Sequence, residues 1–157
     1  MKIDRTRALG AFAAYVRPYD AADPKVRLKI EHTYRVAELC ERIARSEGWG
    51  ADETLLAWLC GLLHDVGRFE QLRRYGTFDD RRSIDHARAG AEVLFEAGGI
   101  RAYLEVGCED ELLHTAVAWH SAYRLPETLD RRTRAFCDLL RDADKVDILR
   151  ANVCLLY

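Results

Sequence analysis

Residues Leu55 to Leu63 read LLAWLCGLL and are apolar on almost every side of a helix. A helix without a polar face has to lie in the interior, wrapped by other elements. It is too short to cross a bilayer, which takes about 20 apolar residues. The wrapping must therefore come from the rest of the chain, and the rest of the chain reads as helix. Periodicity of the 3.6-residue kind dominates, with no convincing alternating strand. The expected architecture is an all-α, single-domain helical bundle spanning residues 1–157.

A first helix is predicted over residues 4–17, with Leu9, Phe12, Ala13 and Val16 on one face and Pro18 at its end. Asp23 caps a second helix with Pro24 at its first position, where a missing N–H costs nothing. That helix carries Ile30, Tyr34, Ala37, Leu39 and Ile43 inward and stops at Gly48. Asp52 is the expected cap of the central apolar helix, and Gly67 its expected end. The segment RFEQLRRYGTFDDRR is a loop or short helix broken at Gly76. Ser83 then caps a fourth long helix to about Glu96, ended by Gly98-Gly99. Further helices are expected near 101–106, 109–121, 127–142 and 144–156. There is no internal repeat, low-complexity tract or linker.

Length and composition agree with this plan. A chain of 157 residues with 49% apolar and 32% charged content is large enough for a core without disulfides. The formal charge of -2 argues against coating nucleic acid, which calls for a basic excess. Twenty of the 24 basic residues are Arg, a bias that is either compositional or suited to phosphate. Cys40, Cys60, Cys108, Cys137 and Cys154 form no CxxC pair, which excludes a zinc ribbon or dithiol motif of that spacing. Cys40, Cys60 and Cys137 sit among apolar residues as expected free thiols, implying a reducing cytoplasm. The charged N-terminus MKIDRTRALG does not read as a signal peptide. No membrane partner is expected.

His64 and Asp65 interrupt the apolar run at its end. Two strongly polar groups there cost several kcal/mol, of the order known for buried polar groups, unless they pair or ligate a cation. Being adjacent, they point about 100° apart, yet both can reach one ion placed off the helix end. Asp144 lies in RDADKVDIL, where it or Asp142 is either a helix cap or an inward carboxylate. Ile148, Leu149, Val153 and Leu155 suggest that the helix after it packs inward. His32 lies within the second helix, His86 starts the fourth, and His120 ends the run LLHTAVAWH. His114, six residues from His120, falls on another face as a structural or pocket-wall residue.

His32, then His64-Asp65, then Asp144 along a helical chain resembles the HD-domain superfamily of metal-dependent phosphohydrolases. The likeness runs from about residue 24 to 156, and LLHDVGR and RDADKVDIL carry most of it. His86 in SIDHARAGAEVL and His120 in WHSAYRLPE resemble the extra histidines of the dinuclear branch. The resemblance implies that His32, His64, Asp65 and Asp144 bind one ion. It also implies that Asp65 bridges to a second ion held by His86 and His120. Such mixed imidazole–carboxylate donors suit Fe, Mn, Co, Ni or Zn, with Mg possible. Asp85 is either an acceptor that orients His86 or a first-turn residue favoured by the helix dipole.

The implied reaction is hydrolysis of a nucleotide or other small phosphate ester by metal-activated water. His64, Asp65 and Lys145 are the expected catalytic residues, and Arg68, Arg124 and Lys145 the expected phosphate contacts. Lys145 reads equally as the partner of a neighbouring carboxylate. HSAYRLP lacks the Gly-Tyr-Pro signature of cyclic-dinucleotide phosphodiesterases. VGRFE lacks the Glu-Asp pair of hydrolases acting on hyperphosphorylated guanosine nucleotides. The chain is too small to resemble the large deoxynucleotide triphosphohydrolases. It stops thirteen residues after Asp144, where related chains often carry more helix, so the resemblance implies either a missing pocket lid or a shortened protein. Two alternatives stay open: an HD-type di-iron oxygenase, and a non-catalytic sensory module. The oligomeric state is not readable from the sequence.

Overall fold

A computed structural model describes the backbone of residues 2–156 and the side chains of 2–151; within these residues the structure is helical with no strand. The helices are α1 (Arg5–Val16), α2 (Pro24–Ser46), α3 (Ala51–Leu63), α4 (Gly67–Tyr75), α5 (His86–Ala91), α6 (Ile100–Tyr103), α7 (Asp110–Trp119) and α8 (Arg131–Leu156). A 3-10 turn covers Asp80–Arg82, and a π-helical turn, Glu92–Glu96, follows α5. The all-α, single-domain expectation holds. No helix among the described residues is long and apolar enough to cross a membrane.

The apolar α3 is central, as its composition requires. Leu56, Leu59, Cys60, Leu62 and Leu63 are all at most 1% exposed. Burying each Leu side chain stabilises the fold by about 1.5–3 kcal/mol. α3 packs on α2, α7 and α8, and α2 also packs on α8. Gly61 lets α2 and α3 come close. A Cβ there would lie 2.6 Å from Ala37 Cα, so any larger residue would force the two helices apart. α1 covers α4 through a cluster in which Phe69 meets Phe12, Tyr15 and Tyr19. Cys40, Cys60 and Cys137 are buried free thiols, whereas Cys108 is exposed. The side chain of Cys154 lies outside the described residues.

Several element boundaries differ from the sequence reading. α1 is capped by Asp4, which accepts from Arg7 N, and Ala13 on its surface is exposed. Asp23 caps α2 with Pro24 at its start, as expected. Gly50, not Asp52, precedes α3, and Asp52 instead adds an acidic first turn. Gly67 does not close α3 but opens α4: the chain turns through His64, Asp65 and Val66 and becomes helical again at once. Ser83 does not cap the fourth long helix. Asp85 caps the shorter α5, and the π turn replaces its second half.

The C-terminal region holds the largest difference. Two helices divided near Asp142–Asp144 are one, Arg131–Leu156. Asp144 is therefore mid-helix and caps nothing. Ile148 and Leu149, expected to pack inward, are 43% and 64% exposed. The residue of this turn that does face inward is Asp147, 1% exposed. The side chains of Val153 and Leu155 lie outside the described residues.

Candidate metal centre

Four histidines reach the interior from four elements: His32 from α2, His64 from the end of α3, His86 from the start of α5 and His120 from the end of α7. All four are at most 4% exposed. Each is held by its Nδ1. His64 Nδ1 lies 2.7 Å from Gly61 O, and His120 Nδ1 lies 2.7 Å from Val117 O. A carbonyl can only accept, so in the neutral ring the proton is on Nδ1 and Nε2 is bare. His32 Nδ1 meets Asp147 Oδ2 at 2.7 Å, and His86 Nδ1 meets Asp80 Oδ2 at 2.6 Å. These carboxylates impose the same tautomer.

The four bare Nε2 atoms face each other in pairs. His32 and His64 approach to 3.2 Å, and His86 and His120 to 3.1 Å. Two lone pairs at that separation repel unless a cation lies between them. Asp65 stands between the pairs and offers each one oxygen. Its Oδ2 is 3.5 Å from both His32 Nε2 and His64 Nε2. Its Oδ1 is 3.5 Å from His86 Nε2 and 3.4 Å from His120 Nε2. Asp144 Oδ1 completes the first group, 3.0 Å from His32 Nε2 and 3.5 Å from His64 Nε2. Donors about 2.0–2.2 Å from one ion stand about 3–3.5 Å from one another. The donor type and the spacing both fit a divalent metal: His32, His64 and Asp144 form one group able to hold an ion, and His64, Asp65 and His120 form another.

The carboxylates are held ionised. Burial pushes Asp65 up, but Lys29, His64 and His120 override it and set its pKa well below the usual carboxylate range. Burial likewise opposes ionisation of Asp144, and the adjacent His32 and His64 outweigh it, lowering the carboxyl far below its ordinary value. Asp147 is brought down to about 2 against burial by Arg35, His32 and Arg150. Asp80 is lowered by Gln71 and His86, again against burial. His86 is pushed down to about 4, chiefly by burial, despite the pull of Asp65. Its imidazole is thus neutral at neutral pH, as a metal ligand must be.

The close approach of α4 and α5 brings the two halves together. Gly67 opens α4 directly after the His64–Val66 turn, and its position leaves no room for a side chain: a Cβ would lie 2.1 Å from His86 O. Tyr15 Oη donates to Val66 O at 2.7 Å and fixes the same turn. Thus Asp65 and His86 share one rigid junction.

The profile of the HD domain family matches residues 30–152. The chain belongs to the HD domain family. Members of the family are generally metal-dependent hydrolases, and the matched span contains all six residues that converge here: His32, His64, Asp65, His86, His120 and Asp144. No curated protein and no solved structure matches the chain.

Outside these six, the HD domain treats the expected residues unequally. Arg68 lies at the site: its Nε is 3.9 Å from Asp65 Oδ1, and its Nη1 donates to Gln71 Oε1, Phe78 O and Asp80 Oδ1 at 2.7, 2.6 and 2.9 Å. Lys145 is exposed beside Asp144 in sequence, and Arg124 is exposed with its guanidinium over the Tyr123 ring. Among the described residues, the cations that meet the six-residue cluster are Lys29 and Arg68. Asp85 does not orient His86; its side chain accepts from Ala87 N and Arg88 N as a helix cap. His114 is exposed, stacks edge-on against Phe95 and lines an open cleft of about 700 Å³ with Trp119 and Glu96.

Sequence reasoning missed Lys29, Asp80 and Asp147. Lys29 lies one helical turn before His32 and Asp147 one turn after Asp144, so the i, i+3 spacing held a signal for both. Asp80 had none, because a non-helical segment separates it from His86.

Proposed function

We propose that this HD domain is a metal-dependent phosphohydrolase acting on a nucleotide or another small phosphate ester. The observation that carries the reading is the placement of Asp65: one carboxylate bridges two His pairs, with the Lys29 and Arg68 side chains flanking it. A shared carboxylate suits two ions, and the flanking cations suit an anionic substrate. His32, His64, Asp65 and Asp144 would hold one divalent ion; His86, His120 and Asp65 the second. Such a pair supplies Lewis acidity toward a phosphoryl oxygen and lowers the pKa of a bound water.

The chain's own residues supply the rest. Asp147 and Asp80 fix the His32 and His86 rings and raise their basicity. Gly61 O and Val117 O do the same for His64 and His120. Arg68 fixes the segment around Phe78 and Asp80 beside Asp65. Lys29 brings positive charge to the face of Asp65 on the His32–His64 side. Lys145, exposed next to Asp144, and Arg124 are the outer cations of the reading, available to a substrate's distal groups.

Purified protein loaded with Mn, Fe, Co, Ni, Zn or Mg is to be assayed for phosphate release from nucleotides and p-nitrophenyl phosphate. The expected result is metal-dependent turnover, lost in Asp65→Ala and retained without oxygen. No turnover with any metal contradicts the reading. Turnover that requires oxygen and iron supports the oxygenase instead.

A further inference from the structure

We infer that Lys29 is the anchor for the substrate's phosphoryl group, and that the substrate is a phosphate monoester; this rests on the phosphohydrolase reading above. Lys29 Nζ donates to Asp65 Oδ2 at 2.8 Å, and the side chain is 14% exposed. That oxygen is the one shared with His32 and His64. Loading this cluster with a cation sets two positive charges on one oxygen, and the ammonium, on a flexible four-carbon stem, is the mobile one. It has two further N–H donors for a new acceptor.

The surroundings limit where it can go. The Phe78 ring centroid lies 5.4 Å from Lys29 Nζ, and the same ring lies 5.7 Å from the Arg68 guanidinium carbon. Phe78 therefore flanks the ammonium on one side, and its carbonyl is held by Arg68. The ammonium can pivot along the ring while staying over Asp65. Arg68 cannot follow, because Nη1 is committed to three acceptors. Yet Arg68 Nε is buried and has no hydrogen-bond partner, on the Oδ1 side of the same carboxylate. A buried donor left unpaired costs about 1–3 kcal/mol. An oxyanion arriving over Asp65 would satisfy it.

Asp65 is thus bracketed by a mobile ammonium on one side and a fixed, unsatisfied guanidinium N–H on the other. The oxygen count of the substrate follows. A monoester dianion brings two negative charges and three terminal oxygens to the two cation clusters, the Lys29 ammonium and the Arg68 Nε–H. A diester brings one charge and two oxygens, the poorer match to so many positive partners.

The test uses the manganese-loaded full chain and inorganic phosphate as the probe. Lys29→Gln keeps the stem and a hydrogen bond to Asp65. It is expected to bind manganese at wild-type stoichiometry while phosphate affinity, read by calorimetry, falls about tenfold or more, the loss typical of a charge-assisted hydrogen bond. Lys29→Arg should recover most of it. For wild type, turnover of p-nitrophenyl phosphate should exceed that of bis(p-nitrophenyl) phosphate, and Lys29→Gln should raise KM for the monoester more than it lowers kcat. Unchanged phosphate affinity in Lys29→Gln overturns the anchor and leaves Lys29 as a counter-charge. A diester turned over as fast as the monoester overturns the substrate class.

A second readout needs no variant. Titrating phosphate into zinc-loaded wild type should shift the Lys29 side-chain nitrogen resonance, and a resonance that does not move overturns the anchor. Protein that binds phosphate through Lys29 but hydrolyses no ester defeats the phosphohydrolase reading and keeps the anchor. Protein that hydrolyses esters with Lys29→Gln unimpaired does the reverse.

Discussion

The chemistry of single residues divides the centre into donors and the groups that aim them. Asp147 and Asp80 touch no ligand atom other than an imidazole Nδ1, yet each fixes a tautomer. Asp147→Asn should therefore weaken the ion at His32 and His64, and Asp80→Asn the ion at His86 and His120, each by about 10–100-fold, the usual effect of losing such a partner. Metal competition titrations on the two variants check this. An equal loss at both sites in either variant would contradict the division. Asp147 also makes a pH prediction. Its carboxyl titrates at about 2 in the folded chain and near 3.9, roughly, when unfolded. A lowered folded value gives stabilisation that is complete above the unfolded pKa and lost as pH falls toward the folded one. In metal-free protein, urea melts should show stability falling between about pH 4 and pH 2, with a shallower fall in Asp147→Asn.

At the scale of elements, the six converging residues come from α2, the α3–α4 turn, α5, the end of α7 and α8, and depend on where those elements meet. Gly67→Ala would drive a Cβ to 2.1 Å from His86 O and 2.7 Å from Gly90 N, both backbone atoms. Neither can give way without parting α4 from α5. The expected cost is about 3 kcal/mol or more by denaturant melts, as for severe overpacking, with loss of the ion shared by Asp65 and His86. Full stability in Gly67→Ala would refute this account of the junction. Much at this scale was legible in the sequence. LLAWLCGLL required a central helix, and Asp23-Pro24 required a start for α2. The failures share a cause. Asp142, Asp144 and Asp147 in one short stretch read as a break, because three carboxylates are unusual inside a helix. Tertiary partners stabilise two of them there, His32 and His64 at Asp144 and His32 and Arg35 at Asp147, and local sequence does not display partners more than 70 residues away.

Across the whole molecule, the helices form a shell around a concentrated charge problem: buried carboxylates and facing imidazole lone pairs. A fold of this kind is less stable without its cations than with them. Adding a binding metal at about 100 times its dissociation constant should stabilise the protein by about 2.7 kcal/mol per ion. Thermal melts with and without chelator read this as a rise in Tm, and a Tm indifferent to every transition metal would contradict it. The positions of His32, His64-Asp65 and Asp144 were legible through their motif contexts. Lys29 showed only in its i, i+3 spacing from His32, and Asp80 not at all, since its role arises only when the Thr77–Asp80 segment closes over Asp65.

Anomalous X-ray scattering from crystals of the metal-loaded protein tests the central claim most directly. The account predicts two peaks about 3.5–4 Å apart: one among His32, His64 and Asp144, the other at His86 and His120, with Asp65 between them. In fully loaded protein, a single peak that excludes either His pair, or none within reach of Asp65, would contradict it.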